Sequence, residues 1–188
     1  AEQYIAQHYN LQDLQQLLNV AKGELIELHI LLAVHLGLRK SEVIGLKWDA
    51  IDFDSNTITI KHTVTNASKN GKRIVKKNKT KNDSSYRTLY MENDIKQALL
   101  KEKTKQEERQ KFFGNSYMNN ENYVLVDDEG KLIKPDRVSR RFSQLLEDNG
   151  MKKIRFHDLR HSCASLLLAN NANMKQIQQY LGHSSYNT

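Results

Sequence analysis

The chain has 188 residues, enough for one domain with its own core, and its single cysteine excludes an internal disulfide. Hydrophobic residues make up only 38% and charged residues 27%, and no apolar run approaches the roughly 20 residues of a membrane-spanning helix. With no signal-peptide pattern at the start, a net charge of +7 and a pI near 9.4, the expectation is a soluble, cytoplasmic protein with a polyanionic partner and no membrane partner.

Asn10 stands as N-cap to a helix whose leucines recur at 11, 14, 17 and 18, the spacing of a half-buried face. After Lys22-Gly23, residues 24–36 are apolar almost all round, which predicts a central buried helix stopped by Gly37 in a left-handed cap. His29 and His35 on that helix are read as structural. Arg39 follows at a tight corner, with Ser41 as expected N-cap of a helix over SEVIGLKW and Glu42 against its positive end.

From Asp52 the pattern changes to alternation. Residues 57–65, TITIKHTVT, predict one strand, Asn70-Gly71 a hairpin turn, KRIVKK a returning strand and YRTLYM (86–91) a third. The fold class expected is therefore α+β: mostly helical, with a small three-stranded antiparallel sheet. Lys69, Lys72, Arg73, Lys76, Lys77, Lys79 and Lys81 fall within thirteen residues that contain no acid, more positive charge than solubility requires, and predict contact with a phosphate backbone. A long polar helix over 94–111, a loop over 113–121, a buried extended YVLV (123–126), a turn at 128–130 and a helix from Pro135 to a stop at Gly150 follow. Arg137, Arg140 and Arg141 give that last helix a basic flank. Neither a repeat nor an interdomain linker is evident, so residues 1–188 are read as a single domain.

The last 34 residues, 155–188, carry the densest chemistry. His157, Arg160 and His161 share one helix surface, and His183 follows the helix stop Gly182. Such a cluster of cationic and imidazole donors suits a phosphate group. As structure alone, Phe156, Leu159, Cys163 and Leu166 form a core stripe, which explains the apolar residues but not the basic ones beside them. As a metal site, His157 and His161 have the spacing of a zinc-binding helix. Against it, Asp158 is shorter than the glutamate such a site uses, Arg160 would set a cation beside the metal, and no third ligand is placed.

Three segments, GLRKSEVIGLKW (37–48), FHDLRHS (156–162) and LGHSS (181–185), in this order and at these separations, resemble the motifs of tyrosine recombinases, the family of phage and conjugative-transposon integrases and bacterial chromosome-dimer resolvases. The resemblance extends over nearly the whole chain. It implies that Arg39, His157, Arg160 and His183 are catalytic, with Glu42 in a supporting acidic position. It also implies a catalytic lysine at Lys79, with Lys77 and Lys81 close enough to compete, and DNA contacts from Lys72, Arg73, Lys76, Lys77, Lys81, Arg140 and Arg141.

The implied activity is site-specific integration and excision of a mobile element in bacterial cytoplasm, through a 3′-phosphotyrosine and a free 5′-hydroxyl, with no metal, ATP or other cofactor. The implied partners are double-stranded DNA at the element ends and target, a homotetramer on that DNA, and an excisionase-type accessory factor. The family's nucleophilic tyrosine lies further past its histidine than the five residues that follow His183 here, so neither Tyr180 nor Tyr186 takes that role. The expectation is a catalytic domain without the N-terminal core-binding domain and without the C-terminal nucleophile segment. The competing functions are a type IB topoisomerase-like enzyme, which would relax supercoils without pairing two sites, and a non-catalytic DNA-binding module.

Overall fold

The computed structural model describes residues 8–66, 74–78 and 85–182. The first described element is a tether. Tyr9 is buried, its backbone N–H donates to Ser162 Oγ at 2.9 Å, and its hydroxyl donates to the Lys152 carbonyl. Helix α1 (Leu11–Val20) then starts on a reciprocal cap: Asn10 Oδ1 accepts from Asp13 N, and Asn10 N donates back to the Asp13 carboxylate. Leu14 and Leu17 reach the core as their spacing predicts, while Leu11 stays exposed.

Helix α2 (Glu27–Leu36) begins three residues later than expected, because the chain turns at Gly23 (φ +80) and the Gly23 N–H is taken by the Glu27 side chain. From there Ile30, Leu32, Ala33 and Leu36 are buried, as a helix apolar on every side requires. It ends at Gly37 in the left-handed region (φ +59).

Two expectations about the next corner are corrected. Helix α3 (Lys40–Ile44) is capped at Arg39, not at Ser41, because the Glu42 carboxylate reaches back to the Arg39 N–H at 3.0 Å. The helix is also shorter than SEVIGLKW. Gly45 lies so close to the backbone of His62 and Thr63 that a β-carbon there would come within 2.8 Å of both. Leu46 to Trp48 then turn to backbone bonding with Asn122 and Val124, and Lys47 bridges Tyr123. The expected buried extended segment YVLV is thus a lining strip for this corner rather than a full strand.

The β region also divides differently. Residues 57–65 form two strands, β2 (Thr57–Ile60) and β3 (His62–Asn66), that part at Lys61. A short β1 (Ile51–Asp52), not foreseen, pairs with β2, and β2 pairs on its other side with β5 (Arg87–Tyr90), giving a three-stranded sheet in the order β1-β2-β5. β3 pairs instead with β4 (Ile74–Asn78) as a separate two-stranded ribbon, from Asn66 opposite Ile74 to His62 opposite Asn78. The two halves take different partners: the nearer returning strand pairs with the C-terminal half and the later one with the N-terminal half. The expected turn at Asn70-Gly71 lies outside the described residues.

Helix α4 (Asn93–Phe113) is the long polar helix expected, yet it buries Gln106, whose amide donates to the Val124 carbonyl at 2.6 Å and accepts from Trp48 Nε1. Helix α5 (Pro135–Asp148) buries Val138, Phe142, Leu145 and Leu146, and Phe142 meets Phe156 edge-on. Helices α6 (Asp158–Ala169) and α7 (Met174–Leu181) are the last described elements, α6 packing on α2 and α7 on α6. The architecture is mostly helical around one core, with the two small antiparallel sheets on its flank.

Candidate active site

The site is built where four chain segments end: α2 at Gly37, α3 at its first residue, β5 at Arg87, and α7 at Gly182. At its centre is Glu42, whose side chain is fully buried. Its carboxylate accepts from Arg39 Nη1 at 3.0 Å and the Arg39 backbone N–H at 3.0 Å, and from Arg87 Nη1 at 3.2 Å and Nη2 at 3.0 Å. A buried carboxylate is tolerated only when charge and hydrogen bonds surround it, and two guanidinium groups supply both.

Three arginines then grip three consecutive carbonyls at the end of α7. Arg87 Nε donates to Tyr180 O at 2.8 Å, Arg160 Nη2 to Leu181 O at 2.6 Å and Arg39 Nη2 to Gly182 O at 3.0 Å. These are carbonyls that a helix leaves without partners, at the negative end of its dipole. Arg160 Nη1 also donates to the Gly37 carbonyl at 2.7 Å, tying the end of α2 to the same point. Burial, with Arg39 nearby, lowers the Arg160 pKa to about 10, so the group remains a cation at neutral pH. Arg39 differs from the other two in exposure: its side chain keeps 32% of its surface open, against 7% for Arg87.

His157 stands at the N-terminal edge of α6, one turn before Arg160, with its ring edge-on to His161. Desolvation, then the charges of His161 and Arg160, pull its pKa below the ordinary imidazole value, so it is neutral at pH 7 and able to accept a proton. Asp158 beside it is fully buried and accepts from the Arg155 backbone and guanidinium at 2.8–3.2 Å, which locks the first turn of α6. Cys163 is core, as expected, with burial raising its thiol pKa to about 11.

The structure thus brings together Arg39, Glu42 and Arg160, with His157 on the same helix as Arg160. Lys79 and His183 lie outside the described residues, as do Lys72, Arg73 and Lys81. Tyr180 is half-buried. Its hydroxyl donates to the His35 carbonyl at 3.2 Å, and burial pushes its pKa up to about 12. Arg87 was missed by sequence reasoning; the only trace it leaves there is a cation inside an otherwise uncharged strand.

The basic ribbon is less free than its sequence suggests. Lys76 pairs with Glu121 and lies over the Tyr123 ring, which Lys47 also faces. His62 hydrogen-bonds Asn78 at 2.5 Å and the Tyr123 hydroxyl at 3.0 Å, fastening the base of the ribbon to the same loop. Lys77 is exposed. On α5, Arg140 is exposed, while Arg141 forms an exposed pair with Glu24 at 3.0 Å.

The profile of the phage integrase family matches residues 7–188. The chain is 25% identical over 181 residues to a XerC-like tyrosine recombinase of Caldanaerobacter subterraneus, covering 93% of this chain and 46% of that protein. It is 30% identical over 152 residues to the ICEBs1 integrase of Bacillus subtilis, covering 81% of this chain and 40% of the relative. Its fold is similar to that of the Tn1549 transposon integrase solved with circular intermediate DNA, with a TM-score of 0.81 at 18% identity over 98% of this chain and 61% of that one. The crystal structure of XerA recombinase gives 0.74 at 19% identity over 97% of this chain and 58% of that one. The chain spans about half the length of the first curated relatives it matches.

Proposed function

This chain belongs to the phage integrase family, and on that premise we propose that it is the strand-cutting and rejoining domain of a site-specific DNA recombinase that integrates and excises a mobile element. The observation that carries the reading is the convergence of Arg39, Arg160 and Glu42 on one point, with His157 one helical turn away. In this reading the scissile phosphate sits before Arg39 and Arg160. Their planar, permanently charged groups hold the oxygens of the phosphorane as charge builds on them. Neutral His157 accepts the proton of the attacking tyrosine, His183 donates a further hydrogen bond, and Lys79 protonates the leaving 5′-oxygen. The products are a 3′-phosphotyrosine and a free 5′-hydroxyl, and a second 5′-hydroxyl reverses the step to exchange strands. The reaction requires no metal and no ATP.

The nucleophile in this reading is neither Tyr180, which is engaged with the His35 carbonyl, nor Tyr186; it comes from residues that follow Thr188. A core-binding domain before residue 1, a homotetramer on two duplexes, an excisionase-type factor and a cytoplasmic setting belong to the same proposal. Among the described residues, no helix is long and apolar enough to cross a membrane.

The test is a suicide-substrate assay on the full-length protein, using a nicked, labelled DNA carrying the element end and run without added metal. A covalent protein–DNA band that disappears in Arg160→Ala supports the recombinase. Salt-sensitive DNA binding with no covalent band would leave a non-catalytic binding module instead.

A further inference from the structure

Three guanidinium charges and one carboxylate meet at the end of α7, but the three arginines are not equivalent. Arg87 makes the most contacts of the three, and they commit its guanidinium to Glu42 rather than to a DNA strand: both Glu42 oxygens, the Tyr180 carbonyl and the Ser85 carbonyl. The last α7 cap is moulded to it. Gly182 has φ +69, and a β-carbon there would stand 3.0 Å from Arg87 Nη1 and 3.1 Å from its Cδ. The backbone of Gly182, just before His183, therefore rests directly on the arginine stem.

If Arg39 alone faced Glu42, the two would form a nearly neutral pair, and the guanidinium offered to the phosphate would be largely cancelled. Arg87 takes both carboxylate oxygens through its own fork, a bidentate arrangement stronger than a single contact. Glu42 can then orient Arg39 without consuming its charge, and the cluster keeps two surplus positive charges, on Arg39 and Arg160, where the phosphate would lie.

We propose that Arg87 is a positioning residue for the strand-cleavage reaction. It neutralises Glu42 from behind so that Arg39 presents an uncancelled charge, and it fixes the α7 cap from which His183 follows. This inference rests on the phosphate-site reading above and adds to it a residue that never touches the DNA.

The experiment compares two substrates in the full-length protein. One carries the ordinary scissile phosphodiester; the other carries a methylphosphonate at that position, which is uncharged and asks less of surrounding cations. Arg87→Met should slow phosphodiester cleavage about 100-fold, the order seen when one transition-state donor is lost, and slow methylphosphonate cleavage less than about tenfold. Adding Glu42→Gln to Arg87→Met should restore about a tenfold gain over Arg87→Met alone, because the uncompensated carboxylate is gone. Equal losses on both substrates, with no gain in the double variant, would reduce Arg87 to a folding residue and overturn the proposal, as would wild-type cleavage by Arg87→Met.

If Arg87→Met fails to fold, the double variant carries the same test. Phosphodiester cleavage faster than that of Arg39→Ala supports the proposal, and cleavage no faster refutes it. Arg39→Ala and Arg160→Ala are run alongside. If both cleave normally, the phosphate-site reading itself fails. If both are inactive while Arg87→Met is not, only the role of Arg87 falls.

Discussion

Glu42 and His29 are equally hidden, each 1% exposed, and the chain treats them in opposite ways. Glu42 is a carboxylate enclosed by guanidinium groups on both oxygens. His29 is buried with neither ring nitrogen meeting a hydrogen-bond partner among the described residues, and burial lowers its pKa from 6.5 to about 3. A buried polar group with partners can hold other groups in place, which is what a reaction site requires. One without partners stays neutral and costs stability. The first kind of burial marks machinery and the second marks a tolerated defect.

Substitutions should separate the two. The largest effect is expected for Glu42→Ala, which leaves Arg87 buried with no counter-charge. Urea unfolding should report a loss of about 3–5 kcal/mol, and strand cleavage should fall with it. Arg39→Ala comes next and divides the two readouts. Its partly exposed side chain should give up about 1 kcal/mol or less of stability, while cleavage of a suicide substrate drops by about 10²–10³ or more.

His29→Leu should move in the other direction and gain about 1–2 kcal/mol at pH 7 with cleavage unchanged, since it removes two unsatisfied nitrogens. Its pH dependence sharpens the contrast. Because the folded pKa lies below the unfolded one, the stability tied to a neutral His29 is complete above pH 6.5 and is lost as pH falls from there towards 3. Unfolding at pH 6.5 and at pH 5 should show roughly 2 kcal/mol of loss in the native chain that His29→Leu lacks. An identical acid limb in both proteins would mean that His29 is hydrated or paired in solution.

The smallest effects belong to the ribbon. Lys77→Gln should weaken DNA binding and reduce the salt slope by about one unit. Lys76→Gln, already paired with Glu121, should change the slope less. Titration of labelled duplex at several salt concentrations tells the two apart.

Much of this was legible in the residues. The helix over α2 showed in its unbroken apolarity, the stop at Gly37 in its glycine, and Arg39, Glu42, His157 and Arg160 in segments of fixed spacing. What could not be read was set by distance along the chain. Arg87 meets its partners 45 and 93 residues away, and no local pattern encodes that. The parting of residues 57–65 at Lys61 depends on which later strand each half meets, and the shortening of α3 on the close approach of the β3 backbone to Gly45. Ser41 looked like a cap by residue type, but the Arg39 N–H donates to the Glu42 carboxylate, and the helix starts from Arg39. His29 gave no sign of lacking partners, since any histidine in an apolar helix reads the same way.

Gly37 has a consequence for how such a sequence can drift. A β-carbon there would stand 2.4 Å from Leu181 and 3.2 Å from the Cys163 sulfur, so α2, α6 and α7 touch at a point with no side chain to spare. Positions 163 and 181 therefore share one fixed volume and are not free to change separately. In a library randomised at both, survivors should exchange bulk between them, larger at one where smaller at the other, so that two helices inherit their substitutions as a pair.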